Sequence, residues 1–233
     1  MSTPEHGGTA NHLAPGDLAP DDLTPDDLTP DDLALDGLTA AWLGRQELGP
    51  QPAFAAMVDA LRSLQDAVTG SRPPGRVVEE TTRQLRELAG QLAAYPVGER
   101  DQIAGHLAET PGRGQALIPA VHLDEVEPGA IRGHVTFGRF YLGGNGAVHG
   151  GAIPLAFDDV MGRLANSGRP PGRTAYLHVN YRNVTPIETR LTIEAHLVSV
   201  DGRKRLLRGV LRHGGTVCAD AESLFVALRP GQP

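Results

Sequence analysis

Paired cysteines, a secretory leader and long apolar runs are all missing from this sequence. Its 233 residues include one cysteine, Cys218, so a disulfide framework is excluded, which is typical of proteins in a reducing cytosol. The opening residues, MSTPEHGG, have neither the basic nor the apolar region of a signal peptide. No apolar run approaches the roughly 20 residues that a membrane helix needs. We therefore expect a cytoplasmic protein with no membrane partner.

Basic residues are absent from positions 1–44, which hold nine of the 28 acidic residues. The other 19 acidic residues face 21 basic ones, so the rest of the chain carries +2 although the whole carries -7. This near balance gives no indication of nucleic-acid binding. The nine histidines lack the spacing of metal ligands, and no glycine-rich nucleotide-binding loop is present. We expect neither a metal site nor a nucleic-acid partner.

Leucine recurs every five residues in the N-terminal segment, at Leu13, Leu18, Leu23, Leu28, Leu33, Leu38 and Leu43. A period of five matches neither a helix nor a strand. Prolines and paired aspartates fill positions that a pentapeptide-repeat solenoid would need for other residues. We interpret residues 1–50 as a disordered acidic arm of Leu, Pro and Asp repeats. The alternative is a docking segment that becomes ordered on a partner.

Helical periodicity dominates residues 51–112, which we expect to form a helical pre-domain. Apolar residues recur at helical spacing over 52–69 and again over 77–94. The sequence GSRPPG at 70–75 separates these two helices. A third, short helix is expected over 98–108. The pre-domain is expected to pack on the domain that follows it.

The apolar period changes to two from about residue 115, which is typical of strands. Strands are predicted over residues 130–142, 174–184, 189–200, 204–213 and 216–228. A helix over 151–166 interrupts them, and the turns Asp201-Gly202 and Gly214-Gly215 join the last three strands as hairpins. One helix followed by consecutive antiparallel strands predicts an α+β domain over residues 113–230.

The segment GGNGAVHGGAIPLAFDD, residues 143–159, combines a glycine-rich turn with two adjacent aspartates. Gly150 and Gly151 allow the backbone to turn sharply out of the strand that ends near Val148. Pro154 is tolerated in the first turn of a helix but not in its interior, so the helix begins close to Gly150. Its first amides then lack intrahelical partners and point outward at the positive end of the helix dipole. Such amides can stabilise a carbonyl oxygen that becomes an oxyanion.

Asp158 lies eight residues after Gly150, which corresponds to about 12 Å along a helix. A carboxylate at that distance cannot reach a carbonyl group that is bound at the N-terminus of the same helix. The separation therefore suggests a two-fold dimer in which one subunit supplies the amide and the other supplies the carboxylate. Interpreting Asp158 as an ordinary solvated side chain is disfavoured, because its neighbours Leu155, Phe157 and Val160 are apolar.

The pattern xVHGGxxxxxxD, followed by four strands, is shared with a known family. The matching residues are Gly146, His149, Gly150, Gly151, Asp158, Thr174, Tyr181 and Pro186. Over about residues 115–230 the chain resembles the hotdog-fold acyl-CoA thioesterases, particularly the phenylacetate-degradation type of the 4-hydroxybenzoyl-CoA thioesterase superfamily. The resemblance implies a curled antiparallel β-sheet wrapped around one long helix, here with an N-terminal helical extension. It also implies a homodimer joined through its sheet edges, or a homotetramer built as a dimer of dimers.

By position, the resemblance implies catalytic roles for four residues. Gly150 would supply the backbone amide that polarises the thioester carbonyl. Asp158 from the other subunit would act as a general base on water, or as a nucleophile that forms a mixed anhydride. His149 would hold the turn and orient the thioester, and taken alone it would be interpreted as a turn cap. Thr174 would lie near Asp158 and position the water.

Three further residues within the segment 143–159 are candidates for binding the substrate: Gly151, Asn145 and Asp159. The family often has asparagine six residues before the histidine, where this chain has Gly143, and Asn145 is the nearest asparagine. Asp159 points about 100° around the helix from Asp158, so the two carboxylates cannot face the same site.

A basic cluster follows the Asp201-Gly202 turn, at Arg203, Lys204, Arg205, Arg208, Arg212 and His213. Arg203 and Lys204 of this cluster, together with Arg182, are candidates for binding coenzyme A phosphates at the rim of the dimer. The alternative is an ordinary solvated sheet edge.

These features predict an acyl-CoA thioesterase that releases free acid and CoA at a dimer interface. CoA arrives as part of the substrate, so no separate cofactor is expected. One alternative is a thioesterase that acts on acyl carrier protein, whose acidic helix would meet the basic hairpin. Another alternative is a non-catalytic acyl-CoA-binding hotdog module.

Overall fold

The structure, a computed structural model, describes residues 51–229. The helices are α1 (Pro52–Thr69), α2 (Gly75–Ala93) and α3 (Ala152–Asn166). The strands are β1 (His122–Glu127), β2 (Ala130–Thr136), β3 (Leu142–Gly144), β4 (Ala147–Val148), β5 (Gly172–Tyr181), β6 (Arg190–Asp201), β7 (Lys204–His213) and β8 (Thr216–Ala227). The acidic arm expected for residues 1–50 lies outside the described residues.

Six strands form one antiparallel sheet in the order β1-β2-β6-β7-β8-β5, so β1 and β5 are its edges. The short strands β3 and β4 form a separate two-stranded ribbon. Alternation along the strands decides which face is buried: in β7, Leu207 and Leu211 are fully buried whereas Arg208 is exposed. The predicted helix over 151–166 corresponds to α3, and the last four predicted strands correspond to β5 to β8.

Helix α3 packs across the inner face of this sheet and forms the core with it. Its side chains Phe157, Val160, Met161 and Leu164 are fully buried. Each such side chain contributes about 1.5–3 kcal/mol relative to exposure. Gly209 on β7 allows the close approach, because a Cβ atom there would lie 2.7 Å from Met161 Cε.

The two N-terminal helices differ in how they contact the rest of the chain. α1 contributes one buried side chain, Val58. It is also held by Arg62, which donates hydrogen bonds to the carbonyl oxygens of Pro111 and Gln115 at 3.0 and 2.9 Å. α2 contributes no buried residue. The helical extension therefore packs on the following domain through α1, whereas α2 keeps its apolar side chains exposed.

The prediction of a third helix over 98–108 is wrong. That segment consists of turns and bends, and Gly105 has φ 87°, which lies outside the helical region. Strand β1 has no counterpart among the predicted strands. Its two apolar residues, Leu123 and Val126, are three apart, so they do not show the alternation that indicates a strand.

The strand expected over 130–142 ends earlier, at Thr136, and this too corrects the sequence-based expectation. Asp66 of α1 accepts a hydrogen bond from the Phe140 amide at 2.8 Å. A Cβ atom on Gly138 would overlap the Asp66 carboxylate, so a larger residue there would displace this carboxylate from its hydrogen bond. This contact with α1 takes the chain out of the sheet and into a 3₁₀ turn, Arg139–Tyr141.

Candidate active site

The turn that leads into α3 is held together by His149. Helix α3 begins at Ala152 with Gly151 as its N-cap, and Pro154 lies in the first turn. The Gly151 amide donates a hydrogen bond to His149 Nδ1 at 3.0 Å, and the Ala152 amide donates to the His149 carbonyl oxygen at 2.9 Å. Because Nδ1 accepts, the neutral imidazole carries its proton on Nε2. The ring therefore occupies one of the amides at the helix N-terminus.

Gly150 lies at the exposed apex of this turn. Its carbonyl oxygen accepts a hydrogen bond from the Tyr181 hydroxyl at 2.8 Å, which ties the turn to edge strand β5. Within residues 51–229, no group accepts a hydrogen bond from the Gly150 amide. The amide is therefore available to a ligand at the positive end of the α3 dipole.

The strand before the turn is anchored on a half-buried tyrosine, Tyr141. The His149 amide donates to the Tyr141 carbonyl oxygen at 2.7 Å. The Tyr141 hydroxyl donates to the Leu117 carbonyl oxygen at 3.0 Å, and its ring packs edge-on against Phe137. Burial raises the pKa of Tyr141 to about 12, so the hydroxyl stays protonated as a donor. The backbone of the turn is thus fixed from both sides.

Asp158 lies further along α3 and forms a pair with Thr174. The Thr174 hydroxyl donates a hydrogen bond to Asp158 Oδ1 at 2.7 Å. Asp158 is exposed on a helix whose neighbouring residues Phe157 and Val160 are fully buried. A β-bulge between Thr174 and Tyr176 explains the contact, because it turns Thr174 toward the helix side of the sheet.

Asp158 and Gly150 do not meet within one chain. Their separation of eight residues corresponds to about 12 Å along the helix axis. The structure therefore brings together two separate groups, the His149–Gly151 turn and the Asp158–Thr174 pair, at different levels of the same helix.

Asp159 is surrounded differently from Asp158, and its expected substrate contact is corrected here. Its side chain is 1% exposed and forms ion pairs with Arg163 Nε at 3.1 Å and Arg113 Nε at 3.3 Å. Arg163 also donates to the Ala108 carbonyl oxygen at 2.8 Å. Asp159 thus connects α3 to the irregular segment before β1 and is not accessible to a substrate.

The basic cluster after the Asp201-Gly202 turn is divided in the structure. Arg205 is buried and donates to the carbonyl oxygens of Ala165 and Pro170 at 2.9 and 2.6 Å, which caps the C-terminal end of α3. Burial lowers the pKa of Arg205. Its inclusion in a surface cluster was therefore wrong, because one inward position on β7 carries it into the core.

The other predicted phosphate-binding residues have separate surroundings. Arg203 is half-buried and donates to the Ala227 carbonyl oxygen at 2.9 Å, and Lys204 beside it is half-buried. Arg182 is ion-paired with Asp220 near the end of edge strand β5, away from that hairpin in sequence. The structure thus keeps Arg203 and Lys204 together as neighbours and gives Arg182 a partner of its own.

Asn145 lies at the exposed tip of the β3–β4 ribbon, with φ 50°. Asparagine is among the few residues that adopt this left-handed conformation readily, so the position has a conformational reason for its residue type.

Sequence reasoning did not assign the structural role of Tyr181, Tyr141, Arg113 or Arg163. Tyr181 belongs to the family pattern, so the sequence marked its position. Nothing in the sequence indicated that its hydroxyl binds the Gly150 carbonyl oxygen. The contacts of Arg113 and Tyr141 join segments far apart in the chain, and no local pattern shows such contacts.

Metal-ligating side chains do not gather in groups of three or more in the part of the chain that the structure describes. Among the described helices, none has the length and apolarity required to cross a membrane.

An antiparallel sheet packed on one helix, with a glycine turn at the helix N-terminus, places the chain in the α+β class. No family model matches the sequence. One similar crystal structure is that of a thioesterase superfamily protein, whose sequence is 32% identical to this chain. The comparison covers 76% of this chain and 96% of the other, with a TM-score of 0.66. The chain therefore belongs to the thioesterase superfamily, and the expected α+β hotdog-like fold is confirmed.

Two further solved structures are similar at lower levels. A thioesterase protein of Streptococcus pneumoniae with coenzyme A and a protein of Streptococcus mutans bound to acetyl CoA are each 17% identical. Each comparison covers 48% of this chain and 91% of the other, with a TM-score of 0.45.

Proposed function

We propose that this protein is an acyl-CoA thioesterase, of the type that the phenylacetate-degradation pattern suggests, with an active site between two subunits. The observation that carries the proposal is the division of the candidate groups along α3. A free amide lies at the helix N-terminus, and an exposed carboxylate bound by Thr174 lies about 12 Å further along. The turn at the helix N-terminus offers an amide but no basic group, and the Asp158–Thr174 pair offers a basic group but no free amide.

Two-fold pairing of the subunits would bring the two halves together. Strand β5 is an edge of the sheet, and it carries both Thr174 and Tyr181. If the β5 edges of two copies pair antiparallel, the α3 helices lie side by side in opposite directions. The N-terminal turn of one helix then faces the carboxylate of the other, and two equivalent sites form.

The Gly150 amide is proposed to bind the thioester carbonyl oxygen. Attack on the carbonyl carbon moves negative charge onto that oxygen, and the amide and helix dipole stabilise the charge as it develops. His149 keeps the turn rigid because its Nδ1 accepts a hydrogen bond from the Gly151 amide. The Gly150 amide is therefore already oriented before the substrate arrives.

Asp158 is proposed to supply the basic group from the opposite subunit. Thr174 donates to Oδ1, which leaves Oδ2 to accept a proton from water or to attack the carbonyl directly. In the first case water adds and CoA thiolate leaves. In the second case a mixed anhydride forms with loss of CoA thiolate, and water then hydrolyses it. Single-turnover hydrolysis in ¹⁸O-water separates the cases: general-base attack places ¹⁸O in the released acid, whereas an anhydride that water opens at the Asp158 carbonyl places ¹⁸O in the Asp158 carboxylate and releases unlabelled acid.

Coenzyme A phosphates are proposed to bind at Arg203 and Lys204. Arg203 uses Nη1 for the Ala227 carbonyl oxygen, and its remaining donors can bind an anion. Lys204 forms no ion pair with another residue of the described chain. Replacing Arg203 and Lys204 by neutral residues tests this role. We expect the double variant to have a higher KM for CoA thioesters than the wild type.

The central prediction is that Asp158→Asn lowers kcat for thiol release from acyl-CoAs by about 10²–10⁴-fold. The substitution keeps size and hydrogen-bonding capacity and removes the basic group. Asp101→Asn, at an exposed turn far from α3 in the chain, is the control and should retain wild-type turnover. Turnover unaffected by Asp158→Asn would overturn the mechanism.

The same assay separates the alternative functions. Release from acyl carrier protein but not from acyl-CoA would identify a carrier-protein thioesterase. Binding of acyl-CoA without release from any substrate would identify a non-catalytic module.

A further inference from the structure

Helix α2 exposes an apolar row that nothing in the described chain covers. It spans 19 residues, and none of them is buried. Its large aliphatic side chains, Val77, Val78, Leu85, Leu88 and Leu92, are 39–59% exposed. An amphipathic helix in water gains most of its stability from packing its apolar face, so a helix with this row exposed needs a partner surface.

The spacing of the row is that of a coiled coil. Residues 78, 81, 85, 88 and 92 are separated by alternating steps of three and four, and four of the five are Val or Leu. Valine or leucine lies at each a-type position (78, 85 and 92), and Thr81 and Leu88 lie at the d-type positions. Such a repeat produces a narrow seam that fits another helix rather than a flat sheet.

The charged side chains of α2 all lie away from this seam, at Arg76, Glu79, Glu80, Arg83, Arg86 and Glu87. Arg83 satisfies two of them within the helix, since it contacts Glu80 and Glu87 at 2.6 Å each. The positions that flank the seam, Thr82, Gln84, Ala89 and Gln91, carry no charge. Flanking charges normally select a different partner, and their absence allows two identical helices to meet without repulsion.

We infer that α2 pairs with α2 of a second copy of this chain. The seam is self-complementary, because the same apolar positions and the same uncharged flanks are presented by both helices. This is the requirement of a two-fold contact. The contact uses a surface different from edge strand β5, and it does not depend on the thioesterase proposal.

Helix α1 extends the same kind of surface. Besides the side that contacts the domain through Val58, it exposes Met57, Leu61 and Val68, at 41–60%. A standard interface buries about 800 Å² on each partner, more than one single-helix seam provides. α1 does not pack against α2 in the described chain, so its exposed side chains form a separate apolar patch that adds to the area which the α2 seam offers to the second copy.

The first test compares the mass of the full chain in solution before and after charge is placed in the seam. The double variant Leu85→Glu, Leu88→Glu is expected to weaken association by about 100-fold or more, because two charges from each copy must enter the interface. The matched control Arg76→Gln, Arg86→Gln changes the net charge by the same amount on the opposite face and should retain the wild-type mass. Sedimentation equilibrium measures the association constants, and circular dichroism checks that each variant keeps its helices.

Two outcomes of that measurement overturn the inference: a wild-type chain that sediments as a monomer, or a seam variant whose association equals that of the wild type. The apolar row then belongs to another occupant, such as residues 1–50. Because β5 is untouched, dimers formed through that edge remain in the seam variant. A drop from four copies to two supports two separate contacts, and a drop from two copies to one supports the α2 contact alone.

The second test is a disulfide between copies. Leu85 is the middle of the five seam positions, so it lies next to Leu85 of the second copy in either a parallel or an antiparallel pair. Leu85→Cys is therefore expected to form a disulfide-linked dimer on mild oxidation, whereas Arg83→Cys on the opposite face should not. Cys218 is buried, so the background in the wild-type chain is low. Equal cross-linking of the two variants, or none in either, contradicts the pairing.

Discussion

At the scale of single residues, Asp158 and Asp159 have the same side chain and opposite surroundings. Asp158 is exposed and accepts a hydrogen bond from Thr174. Asp159 is buried between Arg113 and Arg163. Consecutive residues of a helix differ by about 100° in direction, so only one of the pair can face the interior. The same negative charge therefore has a different consequence at each position.

Asp159→Asn is expected to lower the free energy of unfolding by about 2–3 kcal/mol. The substitution leaves the largely buried side chain of Arg163 without its counter-charge, and the partial exposure of Arg113 limits the loss. Asp158→Asn is the matched control one residue earlier, and its change should stay within about 1 kcal/mol. Urea unfolding followed by circular dichroism measures both. An equal loss of stability in the two variants would contradict the assigned ion pairs.

At the scale of secondary-structure elements, two glycines lie where α3 meets the sheet, and only one of them limits how closely the helix approaches. A Cβ atom on Gly209 of β7 would come within 2.7 Å of Met161 Cε and 3.0 Å of the Glu194 carbonyl oxygen. A Cβ atom on Gly162 of α3 would lie 3.5 Å from Phe225, an ordinary contact. The distance between helix and strand is thus set by the first glycine and not by the second.

These two glycines predict opposite effects for the same substitution. Gly209→Ala should destabilise the protein by about 1–3 kcal/mol, because the added methyl group overpacks the core. Gly162→Ala should leave stability unchanged or raise it by up to about 1 kcal/mol, because alanine favours the helix. Differential scanning calorimetry distinguishes the two. Destabilisation by Gly162→Ala as large as that by Gly209→Ala would show that the packing described is wrong.

At the scale of the whole molecule, α1 is connected to the candidate site through two chains of contacts. Arg62 holds the segment around Pro111 and Gln115, from which Arg113 reaches Asp159. Asp66 binds the Phe140 amide and so holds the 3₁₀ turn Arg139–Tyr141. The Tyr141 carbonyl oxygen of that turn accepts a hydrogen bond from the His149 amide. The helical extension thus supports both the N-terminal turn and the middle of α3.

Surface carboxyl groups determine the expected pH dependence of stability. The hydrogen bond from Arg182 lowers the pKa of Asp220, and the hydrogen bond from His134 lowers that of Asp124. A carboxyl group whose pKa is lower in the folded state adds stability above its ordinary pKa, and this stability is lost as pH falls through the folded value. We therefore expect Tm to fall as pH decreases below about 4.

The contribution of Asp220 is checked by comparing Asp220→Asn with the wild type. The variant should show a smaller decrease in Tm over the acidic range, because it lacks one group whose protonation opposes folding. Thermal unfolding between about pH 6 and about pH 2 provides the comparison. An identical decrease in both proteins would remove Asp220 from this account.

The sequence by itself determined the elements whose signals are local. Alternating apolar residues predicted β5 to β8, and the glycine turn with Pro154 predicted where α3 begins. The family pattern pointed to Asp158 and Thr174, and the structure places them 2.7 Å apart. Each of these inferences uses neighbouring residues, whose spacing is readable before the chain folds.

Only the tertiary structure decided the surroundings of residues whose partners lie far away in the chain. It buried Asp159 and Arg205, which the sequence suggested as surface groups, because their partners come from the segment before β1 and from the end of α3. It ended the strand at Thr136 because Asp66 binds the Phe140 amide 74 residues away. Alternation along β7 directs Arg205 inward, but the carbonyl oxygens that it meets there depend on where the whole chain brings the end of α3.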